Sequence, residues 1–393
     1  MKTNKIEIND YLIDEYIKNA PNKKLVHYWE LPDGLCVKLR KPIKDVPFRG
    51  STNSITIGKI NRKFGYDSKI EKEIISLITW RNKKHEIKVK FPLSLINKEY
   101  IELYSLMLSE GSYKSEFKLQ VPEEEFHQIF INNLKKLFGN EILITQLISN
   151  GVKISNAPEK ISYLLPITTH IPKFILENKE FAKLYLRIAF EAEANFRYKV
   201  LKTGIIQRRI KLSRNIGIDN IVKKHLPYEK GKRIYFGELK KQFPDLAIKI
   251  LLNPCPIILG EAILLKKHFG INVSLCPEYL RINYTSYRRG KISVKWTMCI
   301  YSTNIEKFVK EIGFITERKR LIGQQMFNIK KPHKSNYFAL EIMKKVAKNN
   351  IFNSKDYTIE MLKLGYKFPR VFIAKYRKKN LIKKIVYCKY EIL

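Results

Sequence analysis

Two short segments constrain this chain more than anything else in it. Leu103-Tyr-Ser-Leu-Met-Leu-Ser-Glu110-Gly111 and Leu186-Arg-Ile-Ala-Phe-Glu-Ala-Glu193-Ala194 each run an apolar helical face into a carboxylate followed by a very small residue. A pattern used twice predicts two related half-structures, each bringing one acid to the end of a helix. In the first, Ile101, Leu103, Leu106, Met107 and Leu108 make the apolar stripe and Gly111 stops the helix. The second helix is expected over Phe181 to Glu193, after a linker-like Pro166-Ile-Thr-Thr-His-Ile-Pro172. Ser105 and Ser109 lie one turn apart on the first helix, as do Ile188 and Ala192 on the second, and small residues at that spacing let helices approach closely.

The partner is constrained by charge. Against 37 Asp and Glu the chain carries 75 Lys and Arg, a formal net charge of +38 over 393 residues. Such an excess points to a polyanion, nucleic acid first, although an AT-rich genome that encodes Lys and Ile freely would supply part of it without any function. With 45% hydrophobic and 12% aromatic residues the chain buries real cores and is no disordered basic tail. Its length suits two to four domains of roughly 100 to 200 residues.

No membrane span is expected: the amino end mixes charges, and the apolar stretch around Leu251 to Leu265 is broken by Asn253, two prolines, Gly260 and Glu261. A cytoplasmic protein follows as the expectation. Cys36, Cys255, Cys276, Cys299 and Cys388 are scattered without a close pair, which argues against a zinc module and a disulfide framework alike.

Residues 1–95 read as a mixed extension with no assignable chemistry: a helix near Tyr11 to Asn19, a strand over Gly34 to Leu39, a helix over Ser68 to Trp80, and an alternating strand Glu86 to Phe91 closed by Pro92. A first repeat is expected over 96–172 and a second over 173–332. After Glu110 come a strand over Ser115 to Gln120, a helix from Glu123 to Phe138 and alternating segments to Leu165. After Glu193 come basic strands from Phe196 to Leu212, an irregular insertion near His225 to Phe243, a helix Gly260 to Phe269, strands around Leu280 to Tyr301, and a closing helix Ile305 to Ile312 before Gly313. Glu123-Glu-Glu-Phe-His127 reads as a helix start favoured by the dipole, not as a metal cluster, and His170 and His268 read as structural.

With the paired helices, three further stretches carry a resemblance: Ile171-Pro-Lys-Phe-Ile175, Leu265-Lys-Lys-His-Phe-Gly-Ile271, and Lys307-Phe-Val-Lys-Glu-Ile-Gly-Phe314 followed by Arg318-Lys-Arg320. Over roughly 96–330 the chain resembles the two-motif LAGLIDADG homing endonucleases. The resemblance implies an α+β fold of two pseudosymmetric αββαββα halves whose β-saddle lies in the DNA major groove. It also implies Mg²⁺ or Mn²⁺ held by Glu110 and Glu193, with the carbonyls of Gly111 and Ala194 assisting, for phosphodiester hydrolysis. Two departures stand out: Ile188 occupies a position where the family often has Gly, and Ala194 one where it usually has Gly.

Side chains alternating on the saddle strands would meet DNA: Lys114 and Lys118 in the first repeat, then Arg197, Lys199, Arg209 and Lys211, and a basic hairpin with Arg288, Arg289, Lys291 and Lys295. Residues 333–393 resemble a winged helix, with helices at Phe338 to Ala347, Lys355 to Leu364 (capped by Ser354) and Pro369 to Lys378. A strand over Leu381 to Tyr390 follows, and Arg370 lies on the candidate recognition helix.

The implied protein is a monomeric double-strand endonuclease with a long asymmetric DNA site. Ile188 and Ala194 motivate an alternative, a scaffold that binds without cutting, as a regulator or as a splicing cofactor on intron RNA. A basic replication or transcription factor, with the function in the tail, is a further alternative.

Overall fold

A computed structural model describes residues 5–41, 53–78, 86–113, 116–200, 206–218, 233–283, 291–301, 303–325, 337–364 and 369–393. The chain is α+β, and all sheets among the described residues are antiparallel. It divides into two compact units. One holds Asn22–Thr168, Ile315–Arg318 and Lys330–Leu393, and with it the first acid; the other holds Met1–Pro21, Thr169–Phe314 and Lys319–Ile329, and with it the second.

In the first-motif unit, the helix Lys98–Glu110 is capped by Asn97, whose Oδ1 accepts from the Tyr100 amide at 2.7 Å. Its apolar face is buried, Leu103, Leu106 and Met107 completely. The chain passes without a loop into the strand Gly111–Ser112, the edge of a sheet ordered Gly111–Ser112, Phe117–Val121, Val152–Ala157, Thr145–Ser149. Asn150 and Gly151, both at positive φ, form the hairpin between the last two strands, as an Asn-Gly pair favours. Helix Glu124–Phe138 packs on this sheet through Phe130, stacked on Phe117 at 5.8 Å.

The sequence predicts one helix over Ser68 to Trp80, but among the described residues of that span only Ser68–Glu73 is helical. Ile74–Ile78 is a strand, paired with Cys36–Leu39 in a four-stranded sheet. The run Ile74-Ile-Ser-Leu-Ile is strongly β-branched, and Cys36–Leu39 supplies the ladder that local periodicity does not register.

Residues 337–393 form helix Tyr337–Val346, strand Ile351–Asn353, helices Ser354–Lys363 and Pro369–Lys378, and strands Ile382–Val386 and Lys389–Ile392, with Lys389–Ile392 central in the sheet. They enclose a core of their own, including Met343, Phe352, Tyr357 and Met361. Two expectations change. Asn353, not Ser354, caps the second helix, its Oδ1 accepting from the Lys355 amide at 2.8 Å. The single strand expected over Leu381 to Tyr390 is a hairpin turned at Tyr387-Cys388, with Cys388 at positive φ.

In the second-motif unit, helix Lys179–Glu193 is capped by Asn178 and runs directly into strand Asn195–Val200. The five-stranded sheet is ordered Asn195–Val200, Ile206–Gly217, Lys291–Tyr301, Val273–Asn283, Arg233–Tyr235. Its inner face buries Ile210, Leu212, Val294, Trp296 and Met298 against the helix Pro256–Phe269. The region expected to be an irregular insertion holds strand Arg233–Tyr235 and helices Phe236–Gln242 and Pro244–Leu252, while residues 219–232 lie outside the described part. The amino-terminal helix Asp10–Lys18 belongs to this unit: the Tyr16 hydroxyl bonds the Pro256 carbonyl at 2.8 Å. A Cβ on Gly260 would meet that hydroxyl at 2.5 Å, so glycine permits the approach. Among the described residues, no single helix is long and apolar enough to cross a membrane.

Candidate functional site

Glu110 ends its helix on the surface beside a cavity of about 430 Å³, whose walls include Ser112, Lys118, Gln120 and Tyr387. Gly111 is extended here, at φ −94°, so its role is space: a Cβ would lie 2.7 Å from the Met107 Cα. The carboxylate, hydroxyl and amide oxygens at this helix end suit a hard cation in kind. Lys118 reaches Glu116 at 2.6 Å.

Glu193 sits in a different environment. Arg214 comes from the strand Ile206–Gly217 on the inner face, where alternation buries Ile210 and Leu212. A buried guanidinium needs a carboxylate, and Glu261 on the helix Pro256–Phe269 supplies it, fully buried, with Oε1 2.6 Å from Arg214 Nη2. The Tyr185 hydroxyl also donates to Glu261, at 3.3 Å, and Arg214 Nη1 reaches Glu193 Oε1 at 3.1 Å. Burial disfavours the Arg214 cation, but Glu261, with Tyr185 and Glu193, outweighs it and raises its pKa. For Glu193 burial dominates and raises the pKa, against the lowering effect of Arg214.

Buried Lys319 completes the arrangement. Its ammonium donates to the carbonyls of Phe190 (3.2 Å), Ala194 (3.0 Å) and Glu191, closing the negative end of the second-motif helix. The carbonyl of Ala194, expected to assist a metal, thus has an ammonium partner, and Glu193 has a guanidinium partner. A divalent cation at these two oxygens would face both positive charges. Among the described residues no group of three or more His, Cys, Asp or Glu side chains could hold a metal ion. His127 is buried between Ser155 Oγ (2.8 Å) and the Val121 carbonyl (3.0 Å), and His268 holds the Leu176 carbonyl at 2.8 Å.

The basic residues gather on the other face of the five-stranded sheet. Arg209 and Lys211 share a parity opposite to Arg214, and Lys295 joins them through the register Asn215↔Lys295. In this face lies Glu278, at a bulge between Pro277 and Tyr279, bound by Lys211 (2.8 Å), Thr297 (2.9 Å) and Lys295 (3.4 Å). Burial opposes the Glu278 charge, but these partners hold its pKa below the usual carboxylate range.

Arg197 and Lys199 lie on strand Asn195–Val200, with Arg197 opposite Arg209, and Lys291 begins strand Lys291–Tyr301; their side chains are outside the described part. Lys114, Arg288 and Arg289 lie outside the described residues altogether. Arg370 is exposed on helix Pro369–Lys378.

Sequence reasoning misses Arg214, Glu261, Lys319 and Glu278. The signal for Arg214 is parity: a charge in phase with Ile210 and Leu212 requires a buried partner, and Glu261 lies inside a strongly apolar helix.

No family model and no curated protein matches the sequence. Solved structures do. The chain is similar to mesophilic variants of the homing endonuclease I-DmoI at 12% identity and a TM-score of 0.30, over 55% of this chain and 90% of that one. With I-DmoI in complex with DNA and Mn the figures are 13% and 0.28, over 55% and 98%. Full-length DUF199/WhiA from Thermatoga maritima is similar at 12% and 0.32, over 64% and 67%.

Proposed function

We propose that this chain is a LAGLIDADG-type protein that binds a long asymmetric site in duplex DNA without making a double-strand cut. The observation that carries the second half of this reading is the ion pair of Glu193 with Arg214 beside Lys319 on Ala194, which sets two cations against the oxygens a metal would use. The DNA half is supported by the net charge of +38, by the basic outer face around Arg209, Lys211 and Lys295, and by the sequence resemblance. Both units repeat helix, two strands, helix, two strands, with the four shared strands ordered first, second, fourth, third. That recurrence supports the pseudosymmetric halves.

The αβααββ order of residues 337–393, with the last strand central, supports a winged helix that extends the footprint through Arg370. The protein acts as a monomer, and intron RNA is a further ligand open to it.

The endonuclease reading keeps one structural observation in its favour, the cavity at Glu110 with Ser112 and Gln120 in its wall. There Glu110 and the Gly111 carbonyl would hold Mg²⁺ or Mn²⁺, which when bound supplies a polarised water for hydrolysis.

One experiment separates the readings: the full chain is incubated with DNA from its own genomic neighbourhood and Mg²⁺ or Mn²⁺, scoring retardation and cleavage together. Retardation of a defined duplex without a double-strand cut is expected. A defined cut abolished by both Glu110→Gln and Glu193→Gln, with binding retained, restores the endonuclease. Failure to retain any duplex sinks both.

A further inference from the structure

Within residues 1–95, which take no part in the reading above, three rings lie side by side, two of them stacked. We propose that His27, Trp29 and Tyr66 form a platform for an unpaired nucleobase, a binding site for single-stranded nucleic acid separate from the duplex surface.

Tyr66 is 76% exposed. Gly65, at φ +64°, ends helix Ile57–Phe64, and the buried Tyr28 hydroxyl donates to its carbonyl at 3.2 Å. The same hydroxyl oxygen lies 3.4 Å from the Asp67 amide, while Asp67 caps the next helix through the Lys69 amide at 2.7 Å. Tyr66 is therefore carried on a turn clamped on both sides.

Its ring lies 5.8 Å from that of Trp29, tilted by 51°, and Trp29 stacks on His27 at 4.4 Å and 10°. His27 is anchored in turn: Nδ1 is 3.1 Å from both oxygens of buried Glu71, which also accepts from the Tyr28 amide at 3.2 Å. Rings held this way lose little freedom on binding, and an exposed ring face accepts any base without reading its edge.

The charges around the platform suit a nucleic-acid strand. Arg62 and Lys63 precede Tyr66 and Lys69 follows it, all three exposed. Asp67 is occupied as a helix cap, and Glu30 pairs with Lys23 at 2.9 Å. Cations within four residues of an exposed ring favour a base with its phosphates over an apolar peptide. Bases in a duplex already stack on each other, so this platform takes only unpaired ones.

The inference stands independently of the duplex reading, and its test uses the full chain with fluorescently labelled oligo(dT), oligo(U) and a duplex, read by anisotropy. Tyr66→Ala is expected to weaken single-strand binding about tenfold, with Tyr66→Phe within about twofold of the parent, as stacking requires. Duplex affinity and the thermal midpoint should not move. Equal losses on both single strands identify the shared base and phosphate as the ligand; a loss confined to oligo(U) assigns the platform to RNA. Unchanged single-strand affinity in Tyr66→Ala, an equal loss in Tyr66→Phe, or a parallel loss on the duplex would overturn the proposal.

Discussion

Arg214 Nη1 lies 3.1 Å from Glu193 Oε1, so the acid that ends the second motif is half of an ion pair inside its own unit. The same guanidinium is bound more deeply by Glu261, so the arrangement is anchored in the core and Glu193 meets it from the rim.

Breaking that anchor should be costly. Arg214→Met strands the Glu261 carboxylate in an apolar interior, and a loss of about 3–5 kcal/mol in denaturant-induced unfolding is expected. The double variant Arg214→Met/Glu261→Met should recover most of it, because two apolar side chains leave no buried charge. A double variant as unstable as the single one would show that the pair itself, and not its desolvated remainder, supports the unit.

Neutralising the acid in the basic face should tighten DNA binding. Glu278→Gln releases Lys211 and Lys295 from their carboxylate, and the salt dependence of duplex binding should steepen by about one for each lysine that then meets a phosphate. Mobility shifts over a salt series measure this; an unchanged slope would place the DNA elsewhere.

Acid should weaken the first-motif unit through His127. Burial, as the leading cause, lowers its pKa from the ordinary value of 6.5, so the unfolded chain binds the proton more readily than the folded one. The stability contributed by neutral His127 is therefore present above about pH 6.5 and declines as the pH falls below it toward the folded pKa. Denaturant titrations across this range should show the decline, and His127→Gln should reduce it. NMR titration should find the native imidazole protonating below the unfolded one.

Two glycines should respond oppositely to alanine. Gly111→Ala forces a methyl to within 2.7 Å of the Met107 Cα and should destabilise by about 1–3 kcal/mol. Gly237 lies in helix Phe236–Gln242 with nothing within 4 Å of its missing Cβ, and Gly237→Ala should stabilise by about 0.5–1 kcal/mol. Thermal melts of both variants decide the sign.

Much of the local architecture is legible in the residues. The helix bearing Glu110 is written in its apolar spacing and in the glycine that follows it. These features depend on neighbours a few positions away. Ser68 to Ile78 is misread for the converse reason: its second half becomes a strand only because Cys36–Leu39, distant in sequence, offers a ladder.

The candidate site divides in the same way. By itself the sequence determined that two carboxylates end two apolar helices in a strongly basic chain, since composition and periodicity are local properties. Only the tertiary structure decided what each carboxylate meets. Arg214 reaches the second-motif helix end from a strand, with Glu261 behind it, and Lys319 from helix Glu317–Gln325; a buried charge selects its partner by proximity in space, where the low dielectric makes pairing obligatory.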